Sequence, residues 1–118
     1  MEKGRGMILW RSLLSLWKQL RRRRQFSRTV RLKSRDELPD RLGKALFIIG
    51  DPVEKWIILE CPCRCGQRIE VNLMKNRSPH WDFALEDGKV NLRPSLWVPS
   101  ERCGSHFWIT GSRINWVG

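Results

Sequence analysis

A chain of 118 residues is long enough for one compact domain and too short for two comfortable ones. Apolar residues make up 41% and charged residues 30%, the balance of a soluble globular protein, and with Tyr absent its core leans on seven Trp and four Phe. The net charge of +11 does not mark the whole chain as a nucleic-acid binder, because residues 1–36 carry twelve Lys and Arg against Glu2 and Asp36 while residues 37–118 carry eleven against ten Asp and Glu.

In chain order, residues 1–24 read as a basic amphipathic helix. Trp10, Leu13, Leu14, Trp17 and Leu20 recur at helical spacing on one face, and the Arg21–Arg24 run lies at the C-terminal end, where positive charge complements the helix dipole. The segment is too short and too charged to span a bilayer, and no small-residue cleavage site follows it, so a cytoplasmic protein with reduced thiols is expected. The helix is open to three uses: packing on its own domain, contact with an anionic membrane surface through residues 7–24, or contact with nucleic acid through the same residues.

From residue 25 the pattern is strand and turn, giving a zinc-binding β-rich domain over 25–118. "FSRTVRLK", "KALFIIG" and "EKWIILE" are short β-rich runs, with Gly50 and Asp51-Pro52 as punctuation. "QRIEVNL" alternates Ile69, Val71 and Leu73 against Arg68, Glu70 and Asn72. "WDFALEDGKVNL" reads as a hairpin turning at Asp87-Gly88, and "HFWITGSRINWV" as one turning near Gly111. The expected fold is mainly β: a small antiparallel zinc-stabilised β domain with an N-terminal amphipathic α-helix.

"CPCRCG" places Cys61, Cys63 and Cys65 within five positions, and Cys103 lies far downstream in "CGSHFWI". Neighbouring thiols pair poorly as disulfides in a strand-like turn, and a lone nucleophile explains one thiol rather than four. A tetrahedral zinc site explains all of them. Its apparent binding energy, about 10–16 kcal/mol, rivals the whole stability of a small domain, about 5–15 kcal/mol. His106 is an alternative fourth ligand in place of one cysteine. A site with fewer thiolates would leave a position for a hydrolytic water.

Ser105 and His106 follow Cys103, and Ser95 precedes it in "RPSLW". One reading makes Ser105 a hydrogen-bonding partner of the thiolates and His106 a ligand or a buried partner of a carbonyl. The other is a serine nucleophile with a histidine base. Adjacent strand residues point to opposite faces, so Ser95 is the better-placed partner for His106 than Ser105. Asp82 and Asp87 are candidate orienting acids, and His80 follows Pro79 in a loop.

The stretches "ELPDRL", "LFIIG", "CPCRCGQRIEVNL", "PHW", "DGKVNLRPSLW" and "CGSHFWITGSRINW", from about residue 37 onward, resemble a family of small bacterial proteins long classed as of unknown function. The first cysteine motif of that family reads C-P-C-G-C-G, and Arg64 stands here for its middle Gly. Its members are often encoded beside ubiquitin-like proteins and their activating and conjugating enzymes. The resemblance implies a peptidase that matures or removes a ubiquitin-like protein, with Cys61, Cys63, Cys65 and Cys103 as the metal set and Ser95, Ser105 and His106 as the catalytic candidates. A ubiquitin-like protein or its conjugation enzymes would be the partners. The competing expectation is a non-catalytic zinc-binding interaction module that contacts protein, nucleic acid or membrane through the basic helix.

Overall fold

The computed structural model describes residues 13, 16, 17 and 20–117. Eight strands form two four-stranded sheets. The first contains β1 (Arg28–Leu32), β2 (Ala45–Ile49), β3 (Trp56–Glu60) and β4 (Arg68–Asn72), paired in that order. The second is a meander of β5 (Asp82–Glu86), β6 (Lys89–Trp97), β7 (His106–Thr110) and β8 (Arg113–Trp116).

All pairings are antiparallel except β1 with β2, which is parallel. That pair corrects the expectation of a purely antiparallel domain. Parallel neighbours need a crossover of about a dozen residues, and residues 33–44 supply one, including a 3₁₀ turn at Arg35–Glu37. The crossover covers the outer face of the first sheet. Leu38 and Leu42 pack there on Phe47, Ile49 and Ile58. This explains why the five residues of β2, "ALFII", are all buried and read as an unbroken apolar run rather than an alternation.

The main core lies between the sheets. Leu46, Ile48, Ile57, Leu59 and Val71 from the first meet Val90, Leu92, Leu96, Phe107 and Ile109 from the second. Each such side chain, fully buried, contributes about 1.5–3 kcal/mol. The turns follow the sequence pattern. Asp87 and Gly88 both have positive φ (51° and 76°), as do Gly111 and Ser112 (57° and 59°), the arrangement that two-residue hairpins with the native strand twist require. Ser112 Oγ also accepts the Val90 amide at 2.9 Å and so seats one hairpin tip on the other.

Most of the helix expected over residues 7–24 lies outside the described residues. Where the chain is described, Leu13, Leu16, Trp17, Leu20 and Arg21 have helical backbone, and no α-helix stands among the described elements. The Arg run is not a helical tail. From Arg22 onward it is an irregular strap that crosses both sheets: the Arg23 amide donates to Pro62 O at 2.7 Å, the Ile114 amide donates to Arg24 O at 2.9 Å, and the Trp116 indole donates to Arg23 O at 3.0 Å. Arg22 stacks over the Trp116 ring, 4.4 Å from its centroid. The tertiary partners for backbone and guanidinium outweigh the helix preference of the arginines.

Gly50 ends β2 at φ 129°, and a Cβ there would meet Val53 O and the Lys55 amide nitrogen, the latter at 2.9 Å. Both are backbone and cannot swing away. Gly50→Ala is expected to lower unfolding free energy by about 3 kcal/mol, read from the denaturation midpoint at unchanged slope.

Candidate functional site

The two cysteine motifs come together at one end of the domain. Cys61, Cys63 and Cys65 lie on the loop between β3 and β4, and Cys103 on the loop between β6 and β7, so one sulfur from the second sheet joins three from the first. Local hydrogen bonds shape each loop. The Cys61 amide donates to Gln67 O at 2.8 Å and the Arg64 amide to Cys61 O at 3.0 Å. In the other loop the Gly104 amide donates to Pro99 O at 3.1 Å and the Val98 amide to Ser105 O at 2.7 Å. Arg102 Nη1 donates to Gln67 Oε1 at 3.4 Å and ties the loops together.

The four Sγ atoms lie within 4.8 Å of one another, with Cys61–Cys63 at 3.4 Å and Cys61–Cys103 at 3.7 Å. These separations are far beyond a disulfide bond of about 2.05 Å. They suit one ion instead, since sulfurs about 2.3 Å from a tetrahedral centre stand about 3.8 Å apart. The residues therefore fit a bound metal ion. His106 is not in this group, so the set is four thiols rather than three and an imidazole.

The metal-free thiols divide in their acidity. Burial pushes Cys61 up strongly and Cys65 up to about 11. At Cys103 burial also opposes ionisation, but hydrogen bonds from the Ser105 hydroxyl and amide and from the Cys61 and Cys65 thiols bring it down to about 7. Ser105 is 5% exposed, and its Oγ lies 3.3 Å from Cys103 Sγ. With Cys103 ionised the hydroxyl is the donor. The structure thus places Ser105 at the sulfur cluster, facing away from the histidine that follows it.

His106 opens β7 and points to the outer face of the second sheet, since Phe107 points into the core. Its Nε2 lies 2.8 Å from Ser95 Oγ. Ser95 reaches it because β6 bulges. Four steps from Leu92 to Leu96 in β6 face only two from Ile109 to Phe107 in β7. The carbonyl of Ser95 is pinned by Trp81, whose indole donates to it at 3.3 Å. Trp81 in turn is set by Asn72. The Asn72 carbonyl accepts the Trp81 amide at 2.8 Å, and the Asn72 side chain donates to the carbonyls of Met74, Arg77 and Pro79 across the 73–81 loop. Trp97, the cross-strand partner of His106, stacks on the imidazole with 4.8 Å between centroids and 7° between planes.

Among the described residues neither Asp82 nor Asp87 hydrogen bonds His106. Asp87 sits in the turn before β6, and Ser95 lies eight residues further along that strand, roughly 25 Å by strand rise. Asp82 pairs with Arg93 and lines, with Asn91, Trp108 and Asn115, a cleft of about 680 Å³ that reaches Pro94, the residue before Ser95, but that neither Ser95 nor His106 lines. His80 is half-buried in the 73–81 loop. Trp81, Asn72 and Trp97 were not singled out from the sequence. Trp97 alone carried a readable signal, because two residues after Ser95 on a strand it shares Ser95's face.

A two-sheet β protein with a four-thiol cluster and an adjoining serine–histidine pair has the parts of a metal-stabilised hydrolase. The chain belongs to the bacterial ubiquitination-like system serine protease (BubE) family, whose model matches residues 34–117. No curated protein and no solved structure matches it.

Arg64 has φ 68°, a left-handed conformation that costs a side chain about 1–2 kcal/mol and that glycine adopts freely. Arg64→Gly is expected to raise unfolding free energy by about 0.5–1 kcal/mol in the metal-loaded protein, less than the strain removed because glycine also gains freedom when unfolded. Denaturant titration of the two proteins side by side measures it.

Proposed function

We propose that this chain is a serine peptidase that matures or removes a ubiquitin-like protein, with Ser95 as nucleophile and His106 as general base. The observation that carries the reading is the 2.8 Å contact between Ser95 Oγ and His106 Nε2. It has the reach that proton transfer requires. His106 takes the hydroxyl proton as Oγ attacks the carbonyl carbon at the scissile bond. The imidazolium then returns that proton to the leaving amine as the C–N bond breaks. Water, deprotonated by the same imidazole, hydrolyses the acyl ester and frees Ser95. Membership of the serine protease family supports the reaction class, and the system to which that family belongs supports a ubiquitin-like substrate.

Zinc is the ion we assign to Cys61, Cys63, Cys65 and Cys103, because four cysteine sulfurs within 4.8 Å of one another match its preference for thiolate ligands. When bound it supplies a cross-link between the two cysteine loops, and four protein ligands leave no coordination position for water. Ser105 belongs to that centre as a hydrogen-bond donor. A cytoplasmic setting, which keeps the thiols reduced, suits the assignment. No helix among the described residues is long and apolar enough to cross a membrane.

Ser95→Ala and His106→Ala are each expected to slow cleavage of a ubiquitin-like fusion by about 10²–10⁴-fold, with the zinc content unchanged. Equal rates in wild type and His106→Ala would remove the histidine from the chemistry. Metal analysis is expected to find one zinc per chain. Its removal by chelator should abolish cooperative unfolding, because the lost binding energy of about 10–16 kcal/mol matches the stability of such a domain.

A second, non-catalytic use of the chain rests on Leu13, Leu16, Trp17 and Leu20, all more than half exposed just before the Arg run. These residues suit an accessory contact with an anionic surface, either membrane lipid or nucleic acid. A chain lacking residues 1–21 is expected to keep its peptidase activity and to lose binding to anionic liposomes. Loss instead of salt-sensitive binding to nucleic acid would identify the other surface.

A further inference from the structure

A histidine that serves as base to a serine has to be held in one orientation. Bonded only through Nε2 to a hydroxyl, an imidazole still turns about its two side-chain torsions. In serine–histidine sites a carboxylate on the other ring nitrogen does the holding. Among the described residues no carboxylate hydrogen bonds His106, whose side chain has Ser95 as its hydrogen-bond partner. Its ring faces Trp97 instead, almost coplanar at 7° and 4.8 Å between centroids.

Trp97 is an unusual residue to find there on stability grounds. It is 71% exposed, so most of its apolar surface remains in water and it adds little to the core. Its backbone is nevertheless firmly placed. Leu96 beside it is buried against Phe107, the residue after His106, so the Trp97–His106 register is locked by the core pair next to it. Ser95, Trp97 and His106 therefore share one face of one two-strand ladder, with the indole covering one side of the ring and the hydroxyl at its edge.

We infer that Trp97 is a positioning residue for His106. The stacked indole fixes the plane of the imidazole in place of an orienting carboxylate and leaves the in-plane Nε2 aimed at Ser95. The inference rests on the serine-peptidase reading. The contact also has a chemical consequence. When His106 takes the serine proton it becomes a cation lying on an indole face, an arrangement that attracts positive charge and needs no reorganisation as the charge forms. The benefit falls on the step in which the proton moves rather than on substrate binding.

The test uses the full chain with its metal bound and two readouts. One is the rate at which a small fluorophosphonate labels the protein. Ser95 Oγ displaces fluoride from phosphorus while its proton goes to His106, so this reaction needs the pair and no substrate docking. The other is kcat and KM on a ubiquitin-like fusion. Trp97→Ala is expected to slow labelling and to lower kcat by about tenfold, with KM and the thermal midpoint little changed. Trp97→Phe, which keeps a stacking ring, is expected to restore most of both rates. Wild-type labelling by Trp97→Ala, or a loss confined to KM, would overturn the inference alone and make Trp97 a substrate contact. Equal labelling of Ser95→Ala and wild type would overturn the serine reading and the inference with it.

Discussion

The convergence of four sulfur atoms organises this domain. Three come from a loop of the first sheet and one from a loop of the second, so an ion bound at their centre would join the sheets at one end as the apolar layer joins them along their faces. The polypeptide has little else with which to hold those loops. The β6–β7 loop has turn hydrogen bonds, one ladder-like bond at Val98 and one arginine–glutamine contact to the facing loop. Without an ion the cluster gathers thiols of opposed acidity, with Cys61 and Cys65 pushed up by burial and Cys103 drawn down to about 7. A bound cation removes that conflict by favouring the thiolate at every position.

The same cluster lies beside the serine–histidine pair in sequence. Cys103, Ser105 and His106 fall within four consecutive positions, and strand alternation divides the last two. Ser105 turns inward to the sulfur, and His106 turns outward to Ser95. One serine therefore lies at the sulfur cluster and the other faces the histidine, and a shift of one residue would exchange their surroundings. The β6 bulge completes the arrangement. A regular ladder would hold Ser95 in line with its neighbours, whereas two extra residues bow the strand and bring the hydroxyl within reach of the ring.

Much of this was legible in the sequence because it depends on local rules. The Asp87-Gly88 turn, the turn near Gly111, the alternation of Ile69, Val71 and Leu73, and the gathering of the four cysteines all follow from residue type and spacing. Strand alternation likewise favoured Ser95 over Ser105 as the partner of His106. The parallel β1–β2 pair was not legible, because strand direction is set by a crossover whose apolar residues, Leu38 and Leu42, find their partners only in three dimensions. Nor was the strap at residues 22–25. Its arginines read as a helical tail, and only the positions of Pro62, Ile114 and Trp116 convert them to an irregular path. Asn72 looked like the polar half of an alternating strand, yet its side chain gathers three carbonyls of one loop.

That loop gives the site a second line of support, independent of the metal. Asn72 ends β4 in the first sheet, fixes the 73–81 segment, and through Trp81 reaches the carbonyl of Ser95 in the second. The serine side of the pair is thus held from one sheet across to the other by neutral hydrogen bonds, while the histidine side is held by the strand that leaves Cys103. The two groups approach each other from adjacent strands of the second sheet, β6 and β7. Both lie on the outer face of the sheet, and neither lines the cleft that Asp82 and Trp108 border. An extended segment of another protein can reach such a face, whereas a small molecule would leave much of itself in water.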